Sequence, residues 1–366
     1  MSLSIGIVGL PNVGKSTLFN ALTGGDILAA NYPFATIEPN TGMVAVPDDR
    51  LLALEKLYNA QKVIPATVTF VDIAGLVAGA SKGEGLGNQF LANIRTCDAI
   101  VHVVRAFEDS SVLRHDTAPT NPRDDIDVIN TELVLADLQT VEKRLPRLDK
   151  EARGNPKLQP NVAFLQEVRQ VLDAGTPINA SPSITSNELC DWLQKELQLL
   201  TLKPVIYAFN VSEDELTDQK TLSELQNLVA PARSLFVCAK LEEELKGLDA
   251  TEAAELLESY GVQERGLVQL IHATYDTLGL QSYLTAGEKE VRAWTIHKGY
   301  TAPQAAGVIH GDFEKGFIAA QIISYPDLIA AGSEQAAKAA GKIRTEGKDY
   351  AMQPDDVVEF RFNVTK

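Results

Sequence analysis

Cysteine is scarce in this chain of 366 residues: Cys97, Cys190 and Cys238 are all it has, and they stand far apart. Odd in number and without metal-ligand spacing, they read as reduced core or near-core thiols of a cytoplasmic protein. No run of about 18 apolar residues occurs, so no membrane span is implied. Low-complexity tracts and internal repeats are absent too. The first apolar strand begins directly after Met1-Ser2, which leaves no room for a signal peptide. Basic charge is also short. The net charge is −16, and the acidic excess is greatest in 203–278, where 14 Asp and Glu face six Lys and Arg. That excludes a broadly basic nucleic-acid-binding surface. One local exception is 143–157, with Lys143, Arg144, Arg147, Lys150, Arg153 and Lys157 against Asp149 and Glu151. Such a cluster is either a solvated helix face or a small patch for a phosphate backbone.

What is present points to a soluble, multidomain globular protein. The length calls for two or three domains, and 45% apolar with 22% charged residues supplies a sizeable core. Leu3–Gly9 is an apolar run ending in glycine, and Ser16–Leu22 continues as a helix. Further β-branched apolar runs at Ala66–Val71, Ala99–Val104, Lys203–Phe209 and Ser234–Cys238 predict buried parallel strands of an α/β sheet. Residues 121–202 break that rhythm. Val134, Leu138, Val141, Leu145 and Leu148 recur at four and three, a coiled-coil seam, and Pro146 is expected to kink or weaken their helix. Gly154-Asn155-Pro156 turns the chain, and Val162, Leu165, Val168 and Leu172 make a second stripe, so an inserted helical hairpin is expected. From about Leu280, short strand-like pieces around a helix after Thr301-Ala302-Pro303 predict a compact α+β domain.

Between the first strand and the first helix stands Gly9-Leu10-Pro11-Asn12-Val13-Gly14-Lys15-Ser16-Thr17, a match to G-x-x-x-x-G-K-[ST]. Its glycines let successive amides point at phosphates, Lys15 places a charge on the β and γ oxygens, and the Ser16 hydroxyl suits Mg2+. Asn12 through Thr17 are therefore the predicted phosphate contacts. Asp72-Ile73-Ala74-Gly75 follows the strand Val68–Val71. This places Asp72 at a strand's carboxyl end to hold a magnesium-bound water and Gly75 where its amide meets the γ-phosphate. Thr36, in the loop between, is the candidate second hydroxyl on Mg2+. The glycine-rich segment Leu76–Gly87 suits a switch that refolds on hydrolysis.

With Gly9–Thr17, Asp72–Gly75 and Leu76–Leu91 in hand, the chain resembles the Obg family of P-loop hydrolases, most closely its Obg-like ATPases of the YchF type. The resemblance extends over essentially the whole chain. It implies a nucleotide-binding domain of residues 1–120 and 203–278, an inserted helical domain of 121–202, and a TGS domain of ubiquitin-like β-grasp fold at 279–366. For the last, the supporting residues include Ala293-Trp294-Thr295, Gly299-Tyr300-Thr301-Ala302-Pro303 and Val357-Val358-Glu359-Phe360. As partner it implies the ribosome, either its large subunit or the whole 70S or 80S particle, with RNA contact.

GTPases of this class read guanine with Asn-Lys-x-Asp, whereas here the strand ends in Asn210-Val211-Ser212-Glu213. Glu213, one methylene longer than Asp, is not placed for the paired guanine N1–H and N2–H bonds. The altered motif resembles that of the Obg-like ATPases, which implies ATP over GTP with Asn210 and Val211 contacting adenine. Cys238-Ala239-Lys240 resembles the Ser-Ala-Lys loop beside the base. Leu76 stands where related hydrolases often carry a water-orienting glutamine, and leucine has no polar atom for that task. Two substitutes follow from the resemblance: Asn12, which in some relatives helps to hold K+, and His115, in a loop where the family carries a histidine. Three readings stay open: an ATP-hydrolysing switch, a GTPase of the same architecture, and a nucleotide-gated binding module with negligible turnover.

Overall fold

In the computed structural model the described residues are 3–24, 40–73, 86–108 and 121–363. Their strands, in chain order, are β1 (Ser4–Val8), β2 (Thr41–Ala45), β3 (Val63–Ile64), β4 (Thr67–Asp72), β5 (Ala99–Arg105), β6 (Val205–Asn210), β7 (Arg233–Val237), β8 (Leu280–Ala286), β9 (Val291–His297), β10 (Phe317–Ser324), β11 (Arg344–Glu346) and β12 (Asp356–Phe362). They make two sheets, and the chain divides into two compact units.

The first sheet has the order β2-β4-β1-β5-β6-β7, and β1 pairs in parallel with β4 and β5, β5 with β6, and β6 with β7. Parallel strands are covered on both faces, so their sequences read as continuous apolar runs; all seven residues of β5 are buried. Crossover connections bring the carboxyl ends to one edge, where α/β proteins bind ligands. The register sets Ile7 beside Asp72 and Arg105 beside Asn210, so the loop after β1 shares that edge with both. The five strands expected from the apolar runs are all here; β2, at the outer edge, is additional.

The insertion between β5 and β6 begins with helix Pro122–Gly154, started by Asn121, whose side chain accepts from the Arg123 amide, and by Pro122 in the first turn. It runs on as one helix through Pro146. The predicted seam packs as expected. Val134, Val141 and Leu148 are buried, and Leu138 and Leu145 partly so, against Val162, Leu165, Val168 and Leu172 of helix Gln159–Asp173. The seam spacing does not reveal Asp137, which is fully buried on the long helix. Its carboxylate accepts from the Leu200 and Thr201 amides and the Thr201 hydroxyl at 2.7–2.9 Å, tying the end of the insertion to its start. By compactness the insertion belongs with the nucleotide-binding residues in one unit, which takes in 69–270.

The second unit is built on the sheet β11-β10-β12-β8-β9-β3. Antiparallel pairs β8–β9, β10–β12 and β10–β11 are joined by the parallel contacts β12–β8 and β3–β9. Helix Ala302–Ile309 lies on one face through Ala302, Ala305 and Ala306, whose small side chains allow close approach to Tyr283, Ile296 and Ile322. This is the expected mixed α+β domain, but its bounds differ from those drawn on sequence. Residues 43–68, placed with the nucleotide domain by order along the chain, cluster here, because β3 extends this sheet beside β9. The boundary also falls at Leu270 rather than at 278.

Two stability predictions follow. Removing a carboxylate that satisfies three buried donors leaves those donors unpaired, so Asp137→Ala is expected to cost about 2–4 kcal/mol in urea unfolding; an unchanged midpoint would contradict the tie. His102 in β5 is buried against the Tyr207 ring, 5.3 Å between centroids, and burial lowers its pKa from 6.5 to about 3. The unfolded ring protonates below pH 6.5 while the folded one stays neutral, so this contribution is complete above pH 6.5 and is lost as pH falls toward 3. Between pH 6.5 and 5, His102→Leu is expected to lose about 2 kcal/mol less stability than the parent chain.

Candidate nucleotide site

The phosphate loop leaves β1 at Gly9, where an added methyl carbon would sit 2.8 Å from the Val103 carbonyl oxygen, so a side chain there would push the loop off the sheet. Asn12 and Gly14 take left-handed backbone angles, φ 63 and 94. Asparagine tolerates that region and glycine occupies it freely. At Gly14 a methyl group would also collide with the Asn210 amide nitrogen. Helix Lys15–Thr23 follows at once, and no side chain caps its first turn. Its amides and the positive end of its dipole therefore face the loop.

Lys15 is only 8% exposed, and its ammonium pairs with the Asp72 carboxylate across the β1–β4 register. The two charges arrive from positions 57 apart because parallel pairing puts both strand ends on one edge. Ser16 is exposed beside them. A hydroxyl and a carboxylate are the hard oxygen donors that Mg2+ prefers. The residues present therefore fit an oxygen-donor site for Mg2+ rather than a nitrogen or sulfur one.

The base end is organised by Asn210. Its amide nitrogen donates to the Val13 carbonyl at 3.0 Å, and its amide oxygen accepts from the Ala239 amide at 3.0 Å. Val211 is buried, with its N–H given to the Val237 carbonyl. A cavity of about 490 Å³ opens here, lined among others by Asn12, Gly14, Thr17, Asn210, Val211 and Lys240. On its wall Glu213 forms an ion pair with Lys240, Oε1 to Nζ 2.8 Å, which raises the lysine pKa. Ser212 turns its amide and hydroxyl to Glu215 and fixes the loop between them.

Asn12, Val13, Gly14, Lys15, Ser16, Thr17, Asp72, Asn210 and Val211 thus lie along one edge of one sheet. Thr36, Gly75, Leu76 and His115 lie outside the described residues. Phe107 was not anticipated. It lines the cavity two residues past β5, with the Arg105 guanidinium 4.5 Å from its ring centroid. An aromatic just beyond the carboxyl end of the strand next to the phosphate-loop strand was the available signal. The Lys240–Glu213 pair left none, since nothing in the spacing says where a long lysine side chain will reach.

A phosphate loop, a carboxylate at the neighbouring strand end and an asparagine-anchored pocket on a parallel sheet define a P-loop nucleoside triphosphatase. Comparison with known proteins narrows the class. Residues 4–139 match the family model of 50S ribosome-binding GTPases, and residues 280–363 match that of a carboxyl-terminal domain of YchF GTPases, described as a protein of unknown function. The chain is 50% identical to the ribosome-binding ATPase YchF of Bacillus subtilis (strain 168) and 52% identical to that of Haemophilus influenzae, with 100% of each chain covered. The solved structure of the Schizosaccharomyces pombe YchF GTPase, 39% identical, covers 98% of both chains with a TM-score of 0.87. The chain belongs to the YchF family.

The loop geometry makes Gly14→Ala a direct test. Left-handed strain of about 1–2 kcal/mol and the clash with Asn210 should weaken nucleotide binding at least tenfold. Parental affinity in a fluorescent-nucleotide titration would contradict this loop.

Proposed function

We propose that this chain is a cytoplasmic ATP-hydrolysing switch whose nucleotide state governs its binding to the ribosome, at the large subunit or on the whole 70S or 80S particle. The observation that carries the nucleotide part is the Lys15–Asp72 pair at the mouth of the phosphate loop. Lys15 brings positive charge to the transferring phosphate, and Asp72 is poised to hold an Mg2+-bound water. The backbone amides of Asn12 to Thr17 bind the remaining phosphate oxygens. Mg2+, held by Ser16 and Thr36, would neutralise developing charge on the phosphates. Gly75 is assigned to the γ-phosphate by its place in Asp72-Ile73-Ala74-Gly75.

The preference for ATP rests on Glu213. A guanine-reading site needs a carboxylate placed opposite N1–H and N2–H, and here one oxygen of the longer Glu213 side chain is already ion-paired with Lys240. The curated relatives quoted above are named ATPases, whereas the solved relative and the family model are named GTPases. GTP is therefore the second reading, favoured by retention of Asn210. Leucine at position 76 cannot orient water, so intrinsic turnover is slow and awaits the ribosome, K+ held near Asn12, or His115. Ribosome binding follows the names of the relatives. No helix among the described residues is long and apolar enough to cross a membrane, which suits a cytoplasmic partner.

Calorimetric titration with ATP and GTP in the presence of Mg2+ tests the reading. ATP should bind about tenfold or more tightly, a difference of about 1.4 kcal/mol; tenfold tighter GTP binding would overturn it. Lys15→Ala should lower ribosome-stimulated phosphate release about 100-fold or more.

A further inference from the structure

The basic cluster at 143–157 has no part in the nucleotide chemistry, and the structure separates its members. Arg144 is tied down: its guanidinium grips Glu151 at 2.9 and 3.1 Å and Glu196 at 2.7 Å. Arg153 pairs with Asp149 at 2.9 Å. Both acidic residues of the cluster are therefore neutralised from within it. Among the described residues Lys143, Arg147, Lys150 and Lys157 are exposed and make no salt bridge, although the charge of Arg147 also acts on Glu151, four positions along the helix.

Three of these share one line. At 100° per residue, spacings of four and three put Lys143, Arg147 and Lys150 within about 60° of one another. Each stands two positions after a seam residue, Val141, Leu145 or Leu148, so the line points away from the helix pairing. Neighbours along it are about 5–6 Å apart, close enough for successive side chains to meet successive phosphates. On a chain of net charge −16, long-range attraction to a polyanion is unfavourable, and a contact must be made by a local line of exposed cations such as this one.

We propose that Lys143, Arg147 and Lys150, with Lys157 at the hairpin turn, form the surface through which this chain grips the phosphate backbone of ribosomal RNA. The contact rests on the ribosome-binding reading above and names its chemistry. It is electrostatic, indifferent to base sequence, and carried by the exposed Lys and Arg cations that make no salt bridge among the described residues rather than by Arg144 and Arg153.

Co-sedimentation with purified ribosomes, measured from about 50 to about 200 mM salt, tests it. The triple variant Lys143→Gln, Arg147→Gln, Lys150→Gln should bind at least tenfold more weakly at low salt. Its plot of log affinity against log salt should flatten by about two units. Exchanging the same positions as Lys143→Arg, Arg147→Lys and Lys150→Arg should preserve binding, and ATP affinity should match the parent in both variants, since no seam residue changes. Unaltered affinity and slope in the Gln variant would overturn the proposal. So would weaker binding with an unchanged slope, which would mean a contact with a ribosomal protein. A parental chain that fails to sediment with ribosomes would sink the ribosome reading itself, and the inference with it.

Discussion

One side-chain amide joins the two ends of the nucleotide site. Asn210 donates to Val13 in the phosphate loop and accepts from Ala239 in the loop beside the base. At 4% exposure, an unpaired amide would carry the full desolvation cost of its polar atoms, so each partner holds the other in place. Gly14 must be glycine partly because Asn210 reaches so close, and Lys15 begins its helix from the loop that Asn210 fixes. The Lys15–Asp72 pair then positions the phosphate end in the same frame. Parallel pairing of β1, β4, β5 and β6 is the larger constraint that makes these meetings possible, because it sends every strand end to one edge.

That arrangement explains how much could be read without coordinates. The phosphate loop was legible because its chemistry is local: glycines, lysine and serine in nine consecutive residues between a strand and a helix. Asp72 and Asn210 were legible because each ends an apolar run, and parallel sheets put such ends together. The helical insertion was legible from the four-three spacing of its seam, which needs no knowledge of the rest of the chain. What escaped is long-range. β3 is two residues long and declares itself only by pairing with β9 more than 200 positions later, so the clustering of residues 43–68 with the second unit was not legible. Nothing in the seam spacing marks Asp137 for burial. Its burial depends on Leu200 and Thr201 returning beneath it. Phe107 owes its place to the segment just past β5, and the reach of Lys240 to Glu213 is recorded by no periodicity.

A polar contact joins the insertion to the helix Leu86–Thr96 within the same unit, and a second set fastens that helix to the chain just beyond the insertion. Arg95, in the last turn of helix Leu86–Thr96, donates to Thr140 on the long helix at 3.1 Å. Lys203, nearly buried, donates to the Arg95 carbonyl at 3.1 Å and also to that of Cys97. Burial lowers its pKa, and the carbonyls at the helix end favour the charged form. The helix that follows the glycine-rich segment is thereby fastened at its carboxyl end to the helical insertion. A protein that reports its nucleotide state to a large partner needs a rigid attachment of this kind between its chemistry and its exposed arm.

The central claim is that Asn210 acts as a brace for the whole site. Substituting Asn210→Ala and titrating with both ATP and GTP tests it most directly. The account predicts that both affinities fall by at least tenfold while their ratio stays within about twofold of the parent's. Loss of ATP binding with GTP binding unchanged would contradict it.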